Sequence, residues 1–220
     1  NILRSILVFL IIGICSCVKL NTPAPTFKLE FDFPFELGSE GWVVGYSDYP
    51  VGLSTPDSLT LYQFSYGFSP LPNNIIPRQS GIMISGANRS DDLFMFMKKK
   101  ITGLSPNTQY KITFSVELAS NANTKAVGVG GGPGTSVFLK AGASYTEPIN
   151  TIDNMNWYRI SIDKGNQSVA GKDMINIGNI GVSDTTTAYT LIKRGNGLPF
   201  VQRSGPNGEL WLIIGSDSGF

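Results

Sequence analysis

The chain contains no histidine and only two cysteines among its 220 residues. Without histidine, Ser-His-Asp and Cys-His catalysis and nearly all zinc catalysis are excluded. Cys15 and Cys17 both lie near the start, so the rest of the chain has neither a thiol nor a disulfide. Chemistry that needs only carboxylates, such as glycoside hydrolysis or calcium binding, remains open.

The chain also carries little net charge. Removal of residues 1–16 takes away Arg4, and the 17 basic residues then become 16, equal to the 16 acidic residues. A neutral chain has no electrostatic attraction for nucleic acid or anionic lipid. We therefore expect no nucleic-acid partner.

The first seventeen residues have the pattern of an export signal. Arg4 precedes an apolar run from Ile6 to Ile14, which is too short for a spanning helix of ~20 residues. Ile14, Ser16 and Cys17 resemble the lipobox of bacterial lipoproteins. The resemblance implies cleavage before Cys17, diacylation of its sulfur and anchoring in the cell envelope outside the cytoplasm, at the outer membrane or cell surface. The alternatives are an ordinary secretory signal and a buried apolar segment.

The chain divides into three segments. Residues 1–16 form the predicted signal peptide, residues 17–26 a lipidated tether that Pro23 and Pro25 keep from becoming helical, and residues 27–220 a domain. About 200 residues suffice for one domain with a sizeable core. The chain begins with Asn1 and stops at Phe220 in a strand-like sequence, as expected for a fragment.

The domain has the pattern of a β protein. In residues 109–118, Ile112, Phe114, Val116 and Leu118 alternate with polar residues, which predicts a strand with one buried face. Strand 93–101 precedes it across a turn at 104–107, as in a hairpin or a corner. The apolar runs 93–97 and 210–214 are predicted central strands of two sheets. The other predicted strands are 26–33, 42–46, 59–66, 81–85, 136–141, 157–163, 174–182, 189–193 and 209–214. About eleven short strands favour an all-β antiparallel sandwich that is jelly-roll-like.

Two motifs resemble jelly-roll carbohydrate-binding modules and galactose-binding-like domains. Residues 35–42 (Phe-Glu-Leu-Gly-Ser-Glu-Gly-Trp) resemble their opening. Residues 101–112, with Leu104, Pro106 and Tyr110, resemble their mid-domain strand entry, which fibronectin type III domains share. The resemblance implies a structural calcium ion. Its ligands would be carboxylates near the first and last strands. The residues at matching places are Asp32, Glu36 and Asp217. The alternative is that these three residues are solvated surface acids.

Sugar binding requires exposed aromatic faces beside polar groups that bond the hydroxyls. The aromatic stretch 42–68 supplies Tyr46, Tyr49 and Tyr66 as candidate stacking rings and Asp48 as a hydroxyl acceptor. The alternative is that these rings cover a sheet edge.

Two other motifs have ordinary structural interpretations. The glycine-rich segment 127–136 is no phosphate loop, because a strand rather than a helix follows it. It predicts a wide turn, or a close approach of another backbone or of a ligand. Asp91, Asp92 and Asp163 could serve as acid and base, although acids at strand starts are usually turn formers.

The sequence predicts a non-catalytic, membrane-anchored binding module whose first ligand class is a glycan, with no catalytic residues. One alternative is a structural or adhesive surface lipoprotein that binds protein partners. Another is a carboxylate-dependent glycoside hydrolase or lyase. The sequence determines neither the ligand nor the oligomeric state.

Overall fold

The structure is a computed structural model that describes residues 27–52, 60–77, 79–182 and 187–220. The predicted signal peptide, Cys17 and the tether lie outside the described residues. Among the described residues, no helix is long and apolar enough to cross a membrane. Residues 33–220 belong to one compact unit and the residues before Phe33 to another.

The described residues form sixteen strands, and every pairing but one is antiparallel. The exception is the parallel pair β8–β13. In chain order the strands are β1 (Val43–Ser47), β2 (Tyr49–Pro50), β3 (Ser65–Pro70), β4 (Ser80–Ser85), β5 (Leu93–Ile101), β6 (Gln109–Ile112), β7 (Ser115–Ser120), β8 (Ala122–Asn123), β9 (Val137–Ser144), β10 (Asn150–Ile152), β11 (Trp157–Ile160), β12 (Met174–Asn179), β13 (Gly181–Val182), β14 (Thr190–Gly195), β15 (Phe200–Arg203) and β16 (Leu210–Ser218). The expected antiparallel all-β class is therefore confirmed.

A five-stranded sheet with the order β1-β5-β16-β9-β12 is the centre of the fold. Smaller sheets surround it: β10-β11-β2, β3-β4, β7-β14, β6-β15 and β8-β13. Its middle strand β16 pairs along its full length with β5 and for most of its length with β9. The long apolar runs of β5 and β16 are explained by this position, because central strands bury both faces.

The central sheet has an apolar cluster on each face. Side chains alternate between faces, so register places Phe94, Phe96 and Ile213 on one side and Leu212 and Ile214 on the other. The first face packs with Ile160 and Ile162, which lie on or just after β11. The second forms the larger cluster, which takes in residues from the β6, β7 and β15 region: Phe114, Ile112, Val116, Leu118 and Phe200.

Two glycines make room for the rings of the first face. Phe94 and Phe96 stack with ring centroids 5.3 Å apart. A Cβ on Gly45 would lie 2.5 Å from Cζ of Phe96, and one on Gly215 would lie 2.7 Å from Cε2 of Phe94. The neighbouring strands must therefore lack side chains where these rings cross them.

The structure corrects several predicted strands. Residues 27–33 form no strand, residues 60–62 are helical, and β3 begins only at Ser65. The predicted strand 109–118 is broken into β6 and β7, which pair with different partners. Asn196 explains the break: its side chain accepts from the Phe114 N–H at 2.6 Å and donates to the Ile112 carbonyl at 3.0 Å.

The predicted arrangement of the longest strands is also corrected. The runs 93–97 and 210–214 are neighbours in one sheet rather than the centres of two, because β5 and β16 pair directly. The turn after β5 leads to a corner and not to a hairpin, because β6 pairs with β15.

Candidate functional site

Three aspartates come together at one end of the central sheet. In the antiparallel pair β1–β5, the end of β1 lies beside the start of β5. In the pair β5–β16, the start of β5 also lies beside the end of β16. Asp48 follows β1, Asp92 precedes β5 and Asp217 is the penultimate residue of β16. Carboxylate oxygens from all three lie within 4.8 Å of one another.

Lys164 lies among these carboxylates. Its Nζ donates to both oxygens of Asp217 at 2.9 Å and lies 3.1 Å from Oδ2 of Asp48. It is 3.9 Å from Oδ1 of Asp92. All of these side chains are buried except that of Asp92, which is 29% exposed. One ammonium group therefore lies within 4 Å of all three carboxylates.

Two further cations complete the group, which we call the ion cluster (Asp48, Asp92, Lys140, Arg159, Lys164 and Asp217). Arg159 on β11 donates to Oδ1 of Asp48 at 2.9 Å. Lys140 on β9 is fully buried and donates to Oδ2 of Asp217 at 3.4 Å and to the Val169 carbonyl at 2.8 Å. Buried charges persist in folded proteins when they are paired in this way.

The backbone turns that present Asp48 and Asp92 are tight. Asp48 has a φ of 68°, and its N–H donates to the Tyr158 carbonyl at 2.8 Å. Asp91 has a φ of 62° and turns the chain just before Asp92. Aspartate tolerates this left-handed conformation better than most residues, so its placement at both turns has a local cause.

The pKa values in the ion cluster follow from burial and from charge pairing. Burial raises the pKa of Asp92 to about 6; Lys164 opposes this, while Asp217 and Asp48 add to it. Burial lowers the pKa of Lys140, and the nearby Asp217 only partly compensates. Burial also acts to lower the pKa of Lys164, but Asp217 and Asp48 outweigh it, so that pKa is raised.

The three aspartates are close enough to hold a metal ion. They include Asp217 of the predicted calcium set, whereas Asp32 and Glu36 are exposed and lie outside this group. Lys164 already supplies a positive charge among the carboxylates, so a cation would compete with its ammonium group. An open depression of about 310 Å³ adjoins the cluster and is lined by Asp48, Asp92, Arg159, Lys164 and neighbours.

Asp163, another predicted acid, organises a turn beside the cluster. Its carboxylate accepts from the N–H groups of Lys172 at 2.8 Å and Gly165 at 3.0 Å. These bonds lower its pKa. Asp163 thus has the contacts of a turn former.

A row of aromatic rings, which we call the aromatic row (Tyr62, Phe64, Tyr66 and Phe68), leads from the core to the surface. Tyr62 is 1% exposed, Tyr66 is 62% exposed and Phe68 is 45% exposed. Tyr66 and Phe68 lie on the same face of the β3–β4 hairpin, because they are two residues apart and pair with Ile84 and Ile82. The outer end of the row is open to solvent.

The other predicted stacking residues support the inner end of this row. Tyr46 stacks on Phe64 with centroids 3.9 Å apart and lies 6.5 Å from Tyr66. Tyr49 packs against Tyr62, Phe64 and Tyr158. Burial, with a contribution from Tyr66, raises the pKa of Tyr46 to about 12. The structure thus brings Tyr46, Tyr49 and Tyr66 together and leaves Tyr66 the most exposed, while Asp48 belongs to the ion cluster.

The glycine-rich loop lies close to other backbone segments. A Cβ on Gly134 would lie 2.6 Å from the Ala122 carbonyl oxygen, and one on Gly132 would lie 2.6 Å from that of Ala126. Val127 and Val129 in this loop are both 94% exposed. Close backbone approach therefore accounts for two of the glycines, as one of the two sequence interpretations expects.

Sequence reasoning missed the cationic half of the ion cluster. One signal was available: Lys140 interrupts the otherwise apolar and small strand β9 and is fully buried. A lysine at such a position requires a buried anion. Lys164 carries no such signal, because it lies in a polar turn sequence, and Arg159 carries none, because its side chain is partly exposed on the short strand β11.

Comparison with family models and with curated proteins gave no match. Among solved structures, the chain is distantly similar to the enzymatically active domain of tailspike protein 4 of bacteriophage CBA120. The TM-score is 0.35 and the identity 11%, over 82% of this chain and 18% of that chain.

Proposed function

We propose that this protein is a non-catalytic binding module that holds a glycan against the exposed end of the aromatic row. The domain would be a jelly-roll-like sandwich, anchored in a bacterial cell envelope by lipid on Cys17. The observation that carries this proposal is the exposure of Tyr66 and Phe68 side by side on one face of a hairpin.

The chemistry of the row suits a sugar. An aromatic face offers a flat apolar surface to the C–H face of a pyranose ring. Residues two apart in a strand are about 7 Å apart, so the two rings lie on one strip of the hairpin surface. Tyr46 stacks on Phe64 and lies 6.5 Å from Tyr66, so the inner side of Tyr66 has a packed neighbour before a ligand arrives.

The ion pairs of Asp48 and Asp217 support a non-catalytic role for these two carboxylates. A glycoside hydrolase needs two carboxyl groups about 5–9 Å apart on opposite sides of the scissile bond. Here the Asp48 and Asp217 carboxylates are buried and face Arg159 and Lys164. We therefore propose that the cluster stabilises the end of the sheet that carries β1 and Tyr46.

A glycan-array screen of the full chain tests this function. We expect binding to one class of sugar and loss of that binding in Tyr66→Ala and Phe68→Ala. Met83→Ala is the matched control, because Met83 is exposed on the opposite face of the same hairpin. The screen is run once with calcium and once with a chelator. Because Lys140, Arg159 and Lys164 together balance the charges of the three aspartates, we expect the same binding in both.

A second candidate function, adhesive contact with a protein partner, is favoured by the exposed Val127 and Val129. Two exposed apolar side chains close together in a loop are suited to burial in a protein interface. Two results together would support this function over glycan binding. The folded protein would bind no sugar on the glycan array, and it would capture a protein partner that Val127→Ser and Val129→Ser no longer capture.

A further inference from the structure

The open depression beside the ion cluster combines hydrogen-bonding groups with an apolar surface. Its volume of about 310 Å³ is near the lower end of the range for small-ligand sites. Asp92 and Arg159 line it with charged groups, and the buried Ile160 and Ile162 add apolar surface. We propose that this depression binds one neutral sugar unit through its hydroxyl groups, with Asp92 as the acceptor and Arg159 as the donor.

Asp92 has carboxylate oxygens that accept no hydrogen bond from the described residues. Oδ1 lies 3.9 Å from Lys164 Nζ and Oδ2 lies 3.9 Å from Arg159 Nη1, and both distances are too long for a hydrogen bond. By contrast, Asp48 and Asp217 each accept a hydrogen bond at 2.9 Å. The Asp92 side chain is 29% exposed, so a ligand can reach it. A half-buried carboxylate without a hydrogen bond is stabilised when a ligand hydroxyl donates to it.

Arg159 supplies a donor that is already fixed in place. Its Nη1 donates to Asp48 at 2.9 Å, its Nε donates to Asp153 at 3.3 Å, and its guanidinium carbon lies 5.0 Å from the centroid of the Trp157 ring. Nη2 takes part in none of the hydrogen bonds that join Arg159 to the described residues. A donor held by such contacts loses little freedom when a ligand binds.

The charges around the depression favour a neutral ligand. An anion would meet the carboxylate of Asp92, and a cation would meet Arg159 and Lys164. A hydroxyl group carries no charge and both donates and accepts hydrogen bonds. Neighbouring hydroxyls of a sugar ring can therefore donate to Asp92 and accept from Arg159 at the same time, and both bonds are strengthened by the charge of the protein group.

The depression lies on the opposite face of the central sheet from the aromatic row. Lys164, which lines the depression, has its Nζ 5.2 Å from the centroid of the Phe94 ring. Tyr46 pairs with Met95, and Met95 points to the other face because it is the next residue after Phe94. Tyr46 stacks on Phe64 of the aromatic row. The proposed sugar site therefore does not depend on glycan binding at the aromatic row, and the two are tested separately.

Titration of the isotope-labelled full chain with the methyl glycosides of glucose, mannose and galactose, followed by NMR, tests the site. At about pH 8 Asp92 is ionised, although burial raises its pKa to about 6. We expect at least one of the three sugars to bind with a Kd of about 1 mM and to shift the backbone amide signals of residues 91–92 and 159–166. A site this weak does not retain a glycan on an array, so the array result reports on the aromatic row alone.

Two variants assign the binding to its residues. Asp92→Ala removes the acceptor and should weaken binding at least about tenfold. Arg159→Lys should also weaken it, because lysine keeps a charge beside Asp48 but lacks the second terminal nitrogen. Glu209→Ala is the matched control and should bind as the wild type does. Glu209 is a carboxylate of similar exposure that pairs with Lys100 and does not line the depression.

The location of the shifts in the wild-type protein decides the proposal without relying on the folding of any variant. Shifts in residues 159–166 that persist in Tyr66→Ala would support it. No shift at sugar concentrations about a hundred times the expected Kd would overturn it. Shifts confined to the aromatic row and lost in Tyr66→Ala would overturn it too, while leaving glycan binding at that row intact. Shifts of residues 159–166 with calcium chloride but with none of the sugars would overturn it in favour of a metal ion.

Discussion

Lys164 Nζ donates to both carboxylate oxygens of Asp217, a residue 53 positions further along the chain. The contact joins the segment after β11 to the central strand β16, and the same ammonium also lies 3.1 Å from Asp48. Lys164 therefore pairs with carboxylates from the β1 end and the β16 end of the sheet, beside Lys140 on Asp217 and Arg159 on Asp48.

Lys164→Met should destabilise the fold strongly, because it leaves buried carboxylates without their central partner. We expect a loss of about 3–5 kcal/mol in the free energy of unfolding, measured by chemical denaturation. Lys100→Met is the control: its pair with Glu209 is at the surface and is worth less than about 1 kcal/mol. Equal losses in the two variants would show that the ion cluster contributes no more than a surface pair.

Asp92 should make the fold less stable as the pH rises. Its folded pKa of about 6 exceeds its ordinary value of 3.8, so the unfolded chain loses the proton first. The free energy of unfolding then falls between about pH 4 and pH 7 by on the order of 1–2 kcal/mol, allowing for partial exposure. Asp92→Asn should remove this component. Parallel pH profiles with and without Asp92 would contradict the expected titration.

Gly45→Ala should disturb the packing of Phe96. The added Cβ would lie 2.5 Å from the ring, and the resulting strain should cost about 1–3 kcal/mol in thermal or chemical unfolding. Gly67→Ala is the matched control, because its Cβ would meet nothing within 4 Å. If Gly45→Ala were as stable as Gly67→Ala, the ring would have to lie elsewhere.

Cys17 should carry lipid. We expect labelled palmitate to be incorporated when the chain is expressed in a bacterium, and the label to be absent from Cys17→Ser. Cys15→Ser should keep the label, because Cys15 would be removed with the signal peptide. Label in Cys17→Ser would refute the lipobox interpretation.

The fold class could be predicted from the sequence because alternation and turn residues are local signals. β5 has the predicted bounds, from Leu93 to Ile101. Pairing could not be predicted, since it depends on distant residues: Asn196 breaks the strand between Ile112 and Phe114 from 82 positions away.

The candidate site was predictable only in part, for the same reason. Tyr46, Tyr49 and Tyr66 lie within one aromatic stretch, and the structure brings them together. The ion cluster joins Asp48 to Arg159 and Lys164, which lie more than a hundred positions further along the chain. No local pattern in the sequence marks such a pairing.

The most direct measurement is the affinity of the best array glycan for wild type, Tyr66→Ala and Met83→Ala, by titration calorimetry. Glycan binding at the aromatic row predicts at least about a tenfold loss of affinity for Tyr66→Ala, equivalent to 1.4 kcal/mol, and unchanged affinity for Met83→Ala. Equal affinities for all three proteins would contradict it and place the binding surface elsewhere on the domain.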